Sequence, residues 1–175
     1  MPLVSADAPF VALVREAERI GVHLSPAQAD LCARYATLLI ERNTDVNLTA
    51  ITEPSSIARK HFLDSFTALA VRGWSGGERL IDVGSGAGFP GLALRIALPR
   101  AQVTLVEATG KKARFLEEVT RTLGLDGVEV RNERAEALAK ERRERYDVGT
   151  GVGAGVAAAR TITVPVIRSP CTPQM

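Results

Sequence analysis

Leu80-Ile81-Asp82-Val83-Gly84-Ser85-Gly86-Ala87-Gly88-Phe89-Pro90-Gly91 is the stretch around which the rest of the chain arranges itself. A short apolar run ends in an acid, four glycines follow within eight residues, and Leu92 to Leu98 is compatible with a helix. That order spells strand, tight loop, helix. Glycine has two uses in such a loop. The chain must turn through φ values that a side chain disfavours, and a ligand must come close to the backbone. An ordinary turn between strand and helix needs neither four glycines nor a leading aspartate.

Downstream, the pattern repeats. Strands are expected at 79 to 83, 102 to 106, 127 to 131 and 146 to 148, with helices at 90 to 98, 110 to 123 and 134 to 144. Short apolar strands alternating with helices argue for an α/β fold, a parallel sheet wound with helices. Upstream, the chain is helical. Phe10, Leu13, Val14, Ala17 and Ile20 share one face of a helix over 8 to 20, closed by Gly21. Ser25, Pro26 and Gln28 supply an N-cap, a first-turn proline and a capping-box partner for a second helix. Residues 43 to 52 read as a loop and 54 to 70 as a third helix. The glycine-rich joint at 72 to 77 divides an N-terminal helical extension (1–72) from a βα core (73–148) and an atypical tail (149–175).

A chain of 175 residues that is 46% hydrophobic and 24% charged can build one compact core. The net charge of +2 does not by itself mark a nucleic-acid binder. Cys32 and Cys171 are far apart and fit no metal spacing, and His23 and His61 are the only histidines, so no metal site is expected. No apolar run reaches the roughly 18 residues of a membrane span and no basic-apolar leader precedes the first helix. A cytoplasmic protein is the expectation.

Glu107 closes the second expected strand, 19 residues after Gly88. In wound sheets this is where a carboxylate accepts hydrogen bonds from the ribose of a bound nucleoside. The spacing G-x-G-x-x-G occurs from Gly86 to Gly91, but Pro90 removes an amide that a pyrophosphate would use, and the frame starts three residues beyond the strand. Asp82-x-Gly84-x-Gly86-x-Gly88 fits better. Its leading carboxylate suits a cationic ligand such as S-adenosylmethionine, which carries an amino group and a sulfonium but no phosphate. A nicotinamide-dependent oxidoreductase is the alternative from another class.

Five blocks in order give the chain a resemblance. Asn47-Leu48-Thr49-Ala50-Ile51, Lys60-His61-Phe62-Leu63-Asp64-Ser65, Asp82 to Gly91, Lys111-Lys112-Ala113-Arg114-Phe115-Leu116 and Arg134-Ala135-Glu136 closely resemble the RsmG (GidB) family. Its members are bacterial enzymes that use S-adenosylmethionine to methylate N7 of a guanine in 16S ribosomal RNA. The resemblance runs from about Tyr35 to Val148. It implies a class I S-adenosylmethionine-dependent methyltransferase fold, Rossmann-like, with a helical N-terminal extension. It also implies cofactor contacts from Gly84 and Phe89, a ribose contact from Glu107 and an adenine flank from Ala135 and Glu136. Asp82, Ser85, Gly86 and Gly88 complete the expected cofactor loop.

The resemblance implies 16S ribosomal RNA or the small ribosomal subunit as the target, and a monomer is the expectation. Arg59, Lys60, His61, Lys111, Lys112 and Arg114 are the candidates to meet RNA phosphates. His61 and Asp64, three apart on one helix, are expected to form a hydrogen-bonded structural pair. After Val148 the family pattern is expected to stop. Asp, Glu and Lys are absent beyond Asp147, and Gly149 to Gly155, back-translated and read one nucleotide later, permit the family's Ala-Arg-Ala segment. The expectation is a tail out of frame from about residue 149, a wound sheet incomplete at that end, and either an impaired enzyme or a non-catalytic remnant that binds cofactor or RNA.

Overall fold

The computed structural model describes residues 8–71, 73–134 and 146–151. The N-terminal part contains α1 (Ala8–Arg19), α2 (Pro26–Val46), α3 (Pro54–Ile57), a π-helical turn (Ala58–Leu63) and α4 (Asp64–Ala70). The βα part follows as β1 (Arg79–Val83), α5 (Gly91–Ala97), β2 (Gln102–Val106), α6 (Gly110–Leu123), β3 (Val128–Arg131) and β4 (Val148–Gly151). The helix expected at 134 to 144 lies outside the described residues apart from its first position.

All described strand pairs are parallel, in the order β3-β2-β1-β4. The chain steps from β1 through β2 to β3 in one direction, and β4 lies on the other side of β1. Beside β1, the strand order reverses. In open α/β sheets that reversal leaves a crevice outside the carboxyl ends of the strands, where ligands bind. The loop from Gly84 to Pro90 stands at this edge.

Sequence and structure agree closely on β1, β2, α1 and α6. They differ at β4, expected over 146 to 148 and observed at Val148–Gly151. Gly149 and Gly151 favour loops, but pairing with Ile81 and Val83 of β1 overrides that preference. Thr150 is fully buried and opposite Asp82. Residues 149–151, the first three of the atypical tail, therefore complete a strand.

One buried cluster runs from Phe10 in α1 to Val148 in β4. The N-terminal helices are built into this core. The capping box of α2 forms between Ser25 and Gln28, and the same Gln28 amide donates to the carbonyls of Ile96 (2.8 Å) and Ala97 (3.2 Å) at the end of α5. Arg34 donates to the carbonyl of Thr122, and Arg42 makes a two-pronged pair with Glu118. One long helix thus braces α5, which follows the glycine loop, and α6, which follows Glu107.

Candidate functional site

The glycine loop turns on positive φ at Gly84 (74°), Gly86 (57°) and Gly88 (95°). These glycines do different jobs. A Cβ on Gly84 would meet nothing within 4 Å, and one on Gly86 would meet only the carbonyl of Gly84, at 3.8 Å. Both border open space where a ligand can reach the backbone. A Cβ on Gly88 would collide with the Tyr35 hydroxyl, and one on Gly91 would lie 2.6 Å from Leu105 and 2.7 Å from Asp82. Gly88 and Gly91 are glycines because the protein packs against them.

Asp82 sits beneath the loop. It is 1% exposed, and both carboxylate oxygens have internal partners. The Gly91 amide donates to Oδ2 (3.1 Å), and the Thr150 hydroxyl donates to Oδ1 (2.9 Å). Burial raises its pKa above the ordinary carboxylate range, against the lowering effect of those hydrogen bonds. Ser85 is also buried, its hydroxyl donating to the main-chain carbonyl of Asp82 (2.9 Å). Asp82, Ser85 and Gly88, expected to face a ligand, are thus committed to holding the loop.

Glu107 joins two loops at the carboxyl edge. Its Oε2 accepts from the Gly86 amide (2.9 Å), and its Oε1 accepts from the Thr109 amide (2.8 Å). Asn132, after β3, donates to the Glu107 carbonyl (2.8 Å). Each carboxylate oxygen has two acceptor directions, so these bonds leave capacity for hydroxyl donors of a ligand.

The loop amides bear on the choice of ligand. Those of Gly84 and Ser85 donate to the Val106 carbonyl, Gly86 to Glu107, Gly88 to the Ser85 carbonyl and Gly91 to Asp82. Pro90 has no amide to give. Phosphate cradles depend on amides pointing at the anion. Here five of them are spent internally, and the largely buried carboxylate of Glu107 accepts one of them. This donor set fits a ligand with hydroxyls and positive charge and does not fit a pyrophosphate.

Phe89 carries the loop into the helical part of the molecule. Its ring stacks on Tyr35 (centroids 5.0 Å, 6°) and on His61 (4.7 Å, 14°), and meets Phe62 edge-on (5.0 Å, 89°). The Tyr35 hydroxyl donates to the Ala87 carbonyl. His61 Nε2 shares a 2.8 Å hydrogen bond with the Thr49 hydroxyl, and Asn43 fixes Thr49 by accepting from the Leu48 and Thr49 amides. The expected His61–Asp64 pair is not what the structure contains, because Thr49 is the side-chain partner of His61. Burial lowers the pKa of His61 and raises that of Asp64, with no mutual charge effect in either. Tyr35, Thr49 and Asn43 had no role in the sequence reading of the site, although Asn47 to Ile51 had stood out as a block.

Of the basic candidates, Lys60 and His61 lie on the π-helical turn that reaches Phe89, while Lys111, Lys112 and Arg114 lie in the first turns of α6, just after Glu107. Lys60, Lys111 and Arg114 are exposed and Lys112 is half-buried. Arg59 turns instead toward α1, 3.6 Å from Glu16. Ala135 and Glu136 lie outside the described residues. Among those described, no cluster of His, Cys, Asp and Glu could hold a metal ion, and no helix is long and apolar enough to cross a membrane.

Comparison with known proteins gives the fold and site a context. Residues 28–161 match the family model described as rRNA small subunit methyltransferase G (GidB), so the family pattern continues 13 residues past Val148, where it had been expected to stop. The ribosomal RNA small subunit methyltransferase G of Dehalococcoides mccartyi is 45% identical over 156 residues, which are 87% of this chain and 66% of that protein. The enzyme of the same name from Roseiflexus castenholzii is 46% identical over 140 residues, 79% of this chain and 59% of that protein. The chain spans about two-thirds or less of the length of these curated relatives. Among solved structures, a protein-L-isoaspartate O-methyltransferase shares the fold with a TM-score of 0.50 at 16% identity, over 81% of this chain and 47% of that one.

Proposed function

The chain belongs to the rRNA small subunit methyltransferase G family, and from that membership we propose that it transfers a methyl group from S-adenosylmethionine to N7 of a guanine in 16S ribosomal RNA. The observation that carries this reading is the pairing of Glu107 with the Gly86 amide at the carboxyl edge of the sheet, beside a loop with open space at Gly84 and Gly86. When bound, S-adenosylmethionine supplies an electrophilic methyl group on sulfur. Glu107 accepts hydrogen bonds from the ribose hydroxyls, and Gly84 and Gly86 let the ligand lie against the backbone. Asp82, Ser85 and Gly88 support the loop from below. Ala135 and Glu136 are proposed to flank the adenine.

Guanine N7 already carries an in-plane lone pair, so no side chain has to remove a proton before attack. The protein's contribution is alignment of the two reactants and tolerance of the positive charge that passes to the base. Lys60, Lys111, Lys112 and Arg114 are proposed to neutralise RNA phosphates, with Arg59 and His61 at the margin of that surface. The protein acts in the cytoplasm as a monomer on 16S ribosomal RNA or the small subunit. The out-of-frame reading of the tail applies only beyond residue 161, where the family match ends, and the intact mass set against the coding sequence tests it.

Calorimetric titration of this chain with S-adenosylhomocysteine and with NAD, followed by transfer of labelled methyl to 16S ribosomal RNA, tests the function. Binding of S-adenosylhomocysteine alone, with label in the RNA, is expected. Binding without transfer selects the non-catalytic remnant, and NAD binding overturns the methyltransferase reading. The spent loop amides argue against that last outcome.

A further inference from the structure

We propose that Tyr35 of α2, a residue outside the βα core, is a positioning residue of the cofactor loop: its hydroxyl on the Ala87 carbonyl and its ring on Phe89 fix the conformation in which Gly84 and Gly86 face open space. The inference rests on the methyltransferase reading for the identity of the ligand, and on geometry alone for the hold on the loop.

Tyr35 touches three successive loop positions. Its hydroxyl binds the Ala87 carbonyl, blocks any side chain at Gly88, and its ring lies parallel to that of Phe89. A carbonyl bonded in this way fixes the orientation of the peptide that joins Ala87 to Gly88. The Gly88 amide then donates to the Ser85 carbonyl (2.7 Å), closing the turn that presents Gly86 to Glu107. From the other chain segment, His61 stacks on Phe89 while bonded to Thr49. The loop is therefore held from below by Asp82 and from the side by Tyr35.

The hold is not pH-sensitive in the working range. Tyr35 is fully buried, and burial first, with the Asp82 charge second, raises its pKa well above the ordinary tyrosine value. The hydroxyl remains a donor. An aromatic ring at this position also serves the core, since it packs edge-on against Phe62 (5.5 Å, 85°). The positioning role resides in the oxygen atom, which the substitution Tyr35→Phe removes while the ring stays.

Tyr35→Phe is compared with Leu39→Val, a buried change one turn further along α2, in the full chain. Two readouts are taken: backbone hydrogen exchange across residues 84–91, and the dissociation constant for S-adenosylhomocysteine. Tyr35→Phe is expected to speed exchange at Gly88 and to weaken binding roughly three- to tenfold, the range for loss of one hydrogen bond. Leu39→Val is expected to leave both unchanged. Unaltered exchange in Tyr35→Phe overturns the positioning role whatever the ligand. Binding equal to the parent, or weakened equally in both variants, also overturns it. A parent chain that ignores S-adenosylhomocysteine but shows the exchange difference overturns the methyltransferase reading instead, and with it the assignment of the loop to this cofactor.

Discussion

Two glycines four residues apart in the same loop answer to different forces, and substitution separates them. Gly84→Ala meets empty space and pays only for a side chain at φ 74°, about 1–2 kcal/mol. Gly88→Ala pays a similar conformational cost at φ 95° and in addition drives a methyl group into Tyr35, Leu92 and Leu116. Overpacking of this kind adds about 1–3 kcal/mol. Urea denaturation should therefore rank Gly88→Ala as the more destabilised, while Gly84→Ala should lose more affinity for S-adenosylhomocysteine per unit of stability lost. The glycine spacing was legible because positive φ has a strong residue preference. Which glycine borders open space was not, since that depends on Tyr35, whose hydroxyl reaches across 52 residues to Ala87. Asp82 illustrates the same limit. It shares strand parity with Leu80 on the helix-covered face, but Ile81 and Val83 are apolar too, so alternation did not reveal which way the acid points.

Among the elements, the π-helical turn within the third helical stretch carries two successive side chains, His61 and Phe62, that both reach Phe89. Wider turns of this kind recur at functional sites. Apolar periodicity predicted a helix over 54 to 70 and could not distinguish the turn, because one altered hydrogen-bond span leaves the apolar stripe nearly unchanged. The turn has a consequence for pH. Burial depresses the pKa of His61 in the folded protein below its ordinary 6.5, so the unfolded chain takes up a proton first as pH falls. The stability contributed by neutral His61 is complete above 6.5 and is lost as pH falls through the folded value. His61→Phe keeps a ring on Phe89 and removes the titration. The thermal midpoint of the parent minus that of His61→Phe, measured from about pH 7.5 to about pH 5, should fall on acidification, with the other titrating groups common to both. A constant difference would contradict the assigned environment of His61.

On the scale of the whole molecule, the N-terminal helices and the βα unit share one core, and the sheet order fixes where that core leaves a crevice. The sequence marked both halves but suggested a joint between them at 72 to 77, since a glycine-rich run reads the same whether the flanking parts pack together or not. Net charge of +2 gives little long-range pull on a polyanion, so under the proposed function attraction to RNA comes from where the cations sit. Lys60 is the exposed residue preceding His61, which stacks on Phe89, while Lys111, Lys112 and Arg114 follow Glu107 on α6. Arg59 is partnered by Glu16 and contributes less. Phosphate contacts release counterions, and for single-stranded RNA each one adds about 0.7 to the slope of log affinity against log salt. Lys111→Ala and Lys60→Ala should each lower the slope by about that amount and weaken all RNA sequences alike. Arg59→Ala should lower it by less. Filter binding of a 16S ribosomal RNA fragment across a salt series measures the slopes. Equal slopes for all four proteins would remove these residues from the RNA-facing surface while leaving the cofactor loop untouched.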